Sequence, residues 1–133
     1  MFTRGFSLLE MLVVLAILGI LIQLSYPSYQ QFVLRSYRAE AVTTLLELAN
    51  RQEQRLLDTG RYSDQLADLG VSSADTSSGR YRIQLVIDSD GTAFQIILTA
   101  QGAQQHDSAC QQFSINHLGQ RNHGVSAALS CWD

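Results

Sequence analysis

A single carboxylate lies inside a long run of apolar side chains near the start of the chain. Glu10 is the only charged residue between Gly5 and Leu24, and no polar side chain occurs from Met11 to Ile22. An ionised carboxylate in apolar surroundings costs free energy unless an opposite charge lies close to it. Because no Lys or Arg shares this segment, we expect the partner of the carboxylate to be a chain terminus or another chain.

The apolar run predicts a membrane-spanning helix from Phe6 to Ser25. About 20 residues, each rising ~1.5 Å along a helix, match the ~30 Å of hydrocarbon in a bilayer. A carboxylate near the centre of such a helix costs roughly 2.5–3.5 kcal/mol, and less towards its end. Pro27 lies where the run ends and lacks a backbone donor, so we expect the helix to bend or loosen there, or else to end.

Two ordinary kinds of N-terminal segment are alternatives to a specialised one. A secretory signal peptide has a short, uncharged apolar region followed by a cleavage site of small residues. Here Glu10 lies within the apolar region, and residues 22–27 contain no Ala-x-Ala pattern. A plain membrane anchor is the second alternative.

The sequence from Gly5 to Met11, Gly-Phe-Ser-Leu-Leu-Glu-Met, resembles the processing site of type IV prepilins. The resemblance implies that a peptidase removes a leader ending at Gly5 and that the new N-terminal residue, Phe6, is N-methylated. It also implies that Glu10 is the glutamate at the fifth position of the mature chain. In the family this carboxylate pairs with the N-terminal ammonium of a neighbouring subunit, and opposite charges attract strongly in a low dielectric.

The resemblance divides the chain into three parts. Residues 1–5 are the prepilin leader peptide, residues 6–26 are the transmembrane and assembly half of the helix, and residues 27–133 are the periplasmic domain. The charges of Arg4, Arg35 and Arg38 give almost no orientation signal, so the orientation rests on the resemblance. It implies a single-pass protein of the bacterial inner membrane before assembly, with the leader cytoplasmic, and then an extracellular pilus.

A periodic apolar pattern continues the helix beyond Pro27. Its members recur at steps of three, four or eight residues: Leu34, Tyr37, Ala41, Leu45, Leu48 and Leu56. Glu47 and Arg51 have the spacing of a surface ion pair, and Gly60 is expected to end the helix in a left-handed conformation. A helix of roughly 50 residues is implausible in a compact domain of this size, but it is natural in a pilin.

The residues after Gly60 predict a small sheet. A short helix over residues 63–70, capped by Ser63, precedes a polar turn-rich loop, and alternating patterns predict strands over residues 80–88, 94–99 and 110–117. The segment from Asp88 to Thr92 fits a hairpin loop better than a calcium loop, because it lacks a third carboxylate and a closing glutamate. The resemblance implies an α+β type IV pilin fold, with the helix packed on an antiparallel sheet of about four strands.

Two cysteines, Cys110 and Cys131, are an even count in a domain expected outside the cytoplasm, so we expect one disulfide that closes a C-terminal region. Trp132 beside it is expected to fill the edge of the core. A zinc site with His117 and His123 is disfavoured because the spacing matches no compact ligand pattern. The pattern of this region is similar to short minor pilins of the PilE-like group, and it comprises Cys110, Phe113, Ile115, Gly119, Cys131 and Trp132.

Charge and motifs exclude several classes of function. The chain has twelve acidic and nine basic residues, so we expect no general binding of nucleic acids. Only Arg80, Arg82 and Arg121 offer a local basic patch. No nucleophile has a neighbouring base and no glycine loop fits a phosphate, so we expect no enzyme activity, cofactor, metal or small-molecule substrate.

The resemblance therefore implies a minor pilin that helps to initiate or assemble a filament for twitching motility and cell adhesion. Its expected partners are other major and minor pilins, the prepilin peptidase and the inner-membrane assembly machinery. The alternatives are a major pilin, a type II secretion pseudopilin and a DNA-receptor competence pilin.

Overall fold

The computed structural model describes residues 5–133, and its main element is the helix α1, Leu8–Thr59, of 52 residues. The helix ends as predicted, because Gly60 follows it with a φ of +78°, a left-handed conformation that costs glycine little. The chain divides into two compact units, one reaching Val33 and the other Leu34–Asp133.

In the described part of the first unit, the apolar side chains of the helix have no core to cover them. The large apolar residues from Phe6 to Leu24 are between 47% and 84% exposed. By its length and composition this part of α1 could cross a membrane. The helix continues through Pro27, whose nitrogen cannot donate to the carbonyl of Gln23. The bend at Pro27 stays a prediction.

In the second unit, one face of α1 lies in the core. Its buried residues are Ala41, Leu45, Leu48 and Gln52, while Leu34, Tyr37 and Leu56 of the predicted stripe are half-buried. Gln52 is the polar member of this face: its Nε2 donates to the carbonyl of Ser63 (2.6 Å), and its Oε1 accepts from the amide of Ser63 (3.0 Å). These two bonds hold the chain reversal after α1 against the helix.

Three antiparallel strands form the sheet in the order β1 (Tyr81–Ile87), β2 (Phe94–Ala100) and β3 (Gln112–Asn116). Their inward side chains join α1 in one core, which comprises Tyr81, Ile83, Phe94, Ile96, Leu98, Ala100, Phe113 and Ile115 together with the α1 residues. The rings of Tyr81 and Phe113 meet edge to face at 5.7 Å. The predicted α+β fold is therefore confirmed.

The sheet of residues 5–133 has three strands where about four were predicted. The remaining segments reach the sheet only through single bridges, Asp75 to Arg82 and Ile115 to Arg121. The third strand begins at Gln112 instead of residue 110, because the amide of Cys110 donates to Asp107 in a turn (3.0 Å). In these segments the chain forms tight turns instead of further strand pairing.

The predicted short helix is the single 3-10 turn Leu66–Leu69, which ends at Gly70 with a φ of +72°. Ser63 lies too early to cap it: its Oγ accepts from the amide of Gln65 (3.1 Å) and donates to Asp68 (2.6 Å). The hydrogen bond from the amide of Gln65 to Ser63 thus forms in place of the predicted helix cap.

The predicted hairpin loop is present between β1 and β2. One carboxylate oxygen of Asp88 accepts from the amides of Thr92 (2.7 Å) and Ala93 (3.0 Å), and Gly91 has a φ of +71°. These hydrogen bonds lower the pKa of Asp88, and the bond from the amide of Ala93 contributes most.

Candidate assembly site

The predicted cleavage point lies in an exposed, non-helical segment before α1. Gly5 and Phe6 are both exposed, and the side chain of Phe6 is 75% exposed. The other leader residues, Met1 to Arg4, lie outside the described residues. The cleavage between Gly5 and Phe6 and the N-methylation of Phe6 therefore stay predictions. The residues on both sides of the expected cleavage point are exposed to solvent.

Glu10 lies in the first turn of α1, where the helix dipole favours a negative charge. Its side chain is exposed, and none of the ion pairs formed among residues 5–133 involves it. The neighbouring large side chains, Leu9 and Met11, are apolar and also exposed. Within the described part of the chain, this carboxylate has no counter-charge in a surface that is otherwise suited to lipid or to another helix.

From Met11 to Ile22 the helix carries no polar side chain, and several of the polar side chains that follow bond within the helix. Ser25 Oγ donates to the carbonyl of Leu21 (2.8 Å), and Gln30 Nε2 donates to the hydroxyl of Tyr26 (2.8 Å). Tyr26 and Tyr29 are 61% and 67% exposed. Tyrosine is enriched where a helix leaves the hydrocarbon of a bilayer. The apolar segment thus has the boundary expected of a membrane span.

At the other end of the chain, the disulfide between Cys110 and Cys131 is present, with an S–S distance of 2.02 Å and a Cα–Cα distance of 5.7 Å. Trp132 is half-buried next to it, and its ring lies 6.4 Å from that of Phe113. The predicted place of Trp132 at the edge of the core is confirmed. The two histidines considered for zinc, His117 and His123, are exposed.

Asn122 organises the disulfide-bounded region, and its role was not predicted from the sequence. Its Oδ1 accepts from the amide of Ser114 (3.0 Å) and from Trp132 Nε1 (2.9 Å). Its Nδ2 donates to the carbonyls of Ala127 (3.2 Å) and Ala128 (2.9 Å). The residue is buried with a φ of +52°, which Asn tolerates better than most residues. The only sequence signal was an Asn in a turn-rich stretch.

Two further polar contacts that sequence reasoning missed join α1 to distant segments. Arg38 makes a bidentate ion pair with the buried carboxylate of Asp107 (2.6 and 2.7 Å), and this hydrogen bonding raises the pKa of Arg38. Glu40 accepts from the hydroxyls of Ser77 (2.9 Å) and Ser78 (2.6 Å). These contacts fix the two loops that flank the sheet against the helix.

The three arginines considered as a basic patch are each engaged within the domain. Arg82 pairs with Asp75 (3.1 Å), and this bond lowers the pKa of Asp75. The guanidinium of Arg80 lies over the ring of Tyr37 at 4.5 Å. The guanidinium of Arg121 lies over the ring of Trp132, at 5.0 Å.

Comparisons with known proteins agree with these features. Residues 27–114 match the family model described as "Type IV minor pilin ComP, DNA uptake sequence receptor". Residues 2–22 match the prokaryotic N-terminal methylation motif. The second half of α1 and the sheet thus match one model, and the segment around Glu10 matches the other.

Individual proteins show the same relationship. The chain is 35% identical over 97 residues to the fimbrial protein EcpC of Eikenella corrodens, covering 67% of this chain and 57% of that protein. It is 35% identical over 80 residues to the type IV major pilin protein PilA of Myxococcus xanthus, covering 60% and 36%. The chain thus spans less than two thirds of the length of either relative.

A solved type IV pilin structure from Shewanella oneidensis has the same fold, with a TM-score of 0.58 at 21% identity over 75% of this chain and 98% of that one. A methylation motif around Glu10 precedes a long helix, a three-stranded sheet and a C-terminal disulfide. The chain belongs to the type IV pilin family.

Proposed function

We propose that this chain is a minor pilin, which is cleaved after Gly5, N-methylated at Phe6 and packed by its apolar helix into a type IV pilus. Before assembly the chain resides in the inner membrane. It then helps to start or extend the filament that serves twitching motility and attachment. The observation that carries the proposal is the carboxylate of Glu10, which lies on an exposed apolar helix and forms no ion pair with another residue of the range 5–133.

The assembly step follows from the electrostatics of that carboxylate. Cleavage after Gly5 creates an ammonium group on Phe6, four residues before Glu10. An ammonium group on a neighbouring subunit can approach the exposed Glu10 as the two apolar helices pack. Because attraction between charges increases as water is excluded, the pairing is weak in solution and strong between packed helices. It selects one axial offset between neighbouring subunits.

The choice of a minor pilin rests on the matched family model, whose description names one, over residues 27–114. The type IV major pilin PilA of Myxococcus xanthus is also a relative, so a major pilin is the nearest alternative. The amount of the chain in sheared filaments separates the two, because a major pilin is the bulk component. The prepilin peptidase, the assembly machinery and other pilins are the partners that this proposal requires.

Substitution of Glu10 tests the proposal. Cells producing Glu10→Ala or Glu10→Gln should incorporate at least roughly tenfold less of the chain into sheared filaments, the equivalent of ~1.4 kcal/mol of lost pairing. Immunoblots of membranes should show unchanged amounts of the chain. Glu47→Ala, which removes an exposed carboxylate from the second unit, is the matched control and should be incorporated normally. Normal incorporation of both Glu10 variants would count against the proposal.

A DNA-receptor pilin is the second candidate, favoured by the description of the same family model. The charge of the chain, a formal −3, and the engagement of Arg80, Arg82 and Arg121 argue against it. Gel shifts of duplex DNA with the full-length chain in neutral detergent distinguish the candidates. Binding that weakens steeply with salt and with Arg121→Ala would favour the receptor, whereas no shift at physiological salt would favour the structural subunit.

A further inference from the structure

Strand β1 is an edge strand, and only its first half is covered. The carbonyl of Tyr81 accepts from the amide of Thr76 (2.9 Å), and the amide of Ile83 donates to the carbonyl of Ala74 (2.7 Å). These bonds point away from β2. In an antiparallel strand, alternate residues direct their backbone groups to the same side, so Leu85 and Ile87 also direct theirs away from β2.

The hairpin register supports this assignment. The amide of Asp88 donates to the carbonyl of Ala93 (3.0 Å), so Asp88 directs its amide towards the β2 side, and Ile87, one residue earlier and opposite Phe94, directs its backbone groups away. Among the described residues, no backbone bond reaches the outward groups of Leu85 or Ile87. Half of the edge thus offers two N–H and two C=O groups to an added strand.

The residues that carry these open backbone groups line a groove of about 490 Å³. One side of the groove is β1 from Leu85 to Ile87 with the loop as far as Gly91, and the other is the segment containing Arg61, Tyr62 and Asp64. The amide of Tyr62 donates to the carbonyl of Gly91 (2.9 Å) and closes one end. Leu85, Val86 and Ile87 are apolar and follow one another without a Pro or a charge, so this part of the edge lacks two of the usual protections against an incoming strand.

The groove has a net negative charge. The groove is lined by three carboxylates and one cation: Asp64, Asp88 and Asp90, and Arg61. Asp64, Asp90 and Arg61 form no ion pair with any other residue in the described range 5–133. Asp88 is held by the loop amides but keeps its charge at neutral pH, because its pKa is lowered by those bonds.

We propose that the open half of β1 binds an extended, basic peptide segment of another protein, which adds to the sheet as a fourth strand beside Leu85 and Ile87. Backbone bonds supply the attraction, and the carboxylates of the groove select Lys or Arg side chains over acidic ones. A second copy of this chain fits less well, because edge-to-edge pairing would bring two sets of the same carboxylates together. The site does not depend on the proposed role of Glu10 in assembly.

Peptide binding to the full-length chain in neutral detergent micelles tests the proposal. The probe is a six-residue peptide of alternating Val and Arg with both ends blocked, and the charge control alternates Val and Glu. A third peptide repeats the basic sequence with every backbone nitrogen methylated, which removes its donors. Amide hydrogen exchange is read by NMR for Leu85, Val86 and Ile87, together with the Kd of each peptide.

The expected result is specific to the two outward amides. With the basic peptide at ten times its Kd, exchange at Leu85 and Ile87 should slow about tenfold, while Val86, already bonded to β2, should not change. The acidic and methylated peptides should bind much more weakly. Asp64→Asn combined with Asp90→Asn should weaken binding of the basic peptide roughly 2- to 30-fold. Asp58→Asn combined with Asp133→Asn changes the net charge equally, outside the groove, and should leave the Kd unchanged.

Several outcomes would overturn the proposal. Equal binding of the methylated peptide would show that no strand is added, and equal binding of the acidic peptide would show that the carboxylates do not select the partner. Slow exchange at Leu85 and Ile87 without any peptide would show that the chain covers its own edge. Protection that rises with protein concentration alone would assign the edge to a second copy.

Discussion

Removal of the Asn122 side chain should destabilise the second unit more than removal of any exposed asparagine. Asn122→Ala removes four side-chain hydrogen bonds: those from Ser114 and Trp132, and those to Ala127 and Ala128. It also places an alanine at a φ of +52°. The substitution therefore combines a loss of hydrogen bonds with backbone strain.

The size of the effect follows from the burial of each partner. Ser114 is fully buried, so its unpaired amide costs about 1–3 kcal/mol. The indole N–H of the half-buried Trp132 adds about 1 kcal/mol, and the left-handed φ adds about 1 kcal/mol for alanine. The two alanine carbonyls can bond to water instead. The free energy of unfolding should fall by about 3–5 kcal/mol, a large part of the 5–15 kcal/mol typical of a domain.

Thermal and urea unfolding of the full-length chain in neutral detergent measure this loss, with near-ultraviolet circular dichroism of Trp132 as the probe. For a unit of about 100 residues, the Tm of Asn122→Ala should fall by at least roughly 12 °C. Asn122→Gly loses the same bonds without the strain and should be about 1 kcal/mol more stable than the alanine variant. Asn50→Ala, on the exposed face of α1, should cost no more than about 1 kcal/mol.

Two results would refute this reasoning. If Asn122→Ala lost less than about 1 kcal/mol, the bonds of this side chain would not hold the C-terminal region. If the glycine and alanine variants were equally stable, the backbone at Asn122 would carry no strain.

The other predictions concern the disulfide and the hairpin loop. Replacing Cys110 and Cys131 together by Ser opens a loop of sequence separation 21, so the urea midpoint should drop by the equivalent of about 3 kcal/mol; an unchanged midpoint would contradict it. The pKa of Asp88 is lowered in the folded chain, so its stabilisation is complete above the unfolded pKa of about 3.9 and is lost as pH falls through the lower folded pKa. The protection factors of the Thr92 and Ala93 amides, which correct for the intrinsic pH dependence of exchange, should fall over that acid range in the native chain and stay flat with Asp88→Asn. Equal profiles would argue against the loop contact.

Local signals in the sequence predicted the long helix, the hairpin and the disulfide. Apolar side chains recur with the period of a helix as far as Leu56, and Gly60 supplies the left-handed residue that ends α1. The Asp-Gly turn at Asp90 and Gly91 joins two alternating patterns. The signals for the helix and the hairpin lie within a few residues of their effects, and the disulfide follows from the presence of two cysteines, 21 residues apart, in a domain expected outside the cytoplasm.

The contacts that hold the domain together could not be predicted in the same way. Arg38 and Asp107 are 69 residues apart, and no periodicity marks either one for the other. Asn122 is a polar residue in a polar stretch, and only the fold brings Ser114 and Trp132 to it. Within residues 5–133 the sheet has three strands instead of about four for the same reason, because side-chain bonds that the sequence pattern does not show hold the C-terminal residues in turns.

The mass of the N-terminal peptide of the native protein, isolated from its own membranes, tests the central claim most directly. That claim is that processing creates the ammonium group which Glu10 needs. The account predicts a chain that begins at Phe6 and carries one additional methyl group on its terminal nitrogen. A native chain that still begins at Met1, or that begins beyond Tyr26, would contradict it.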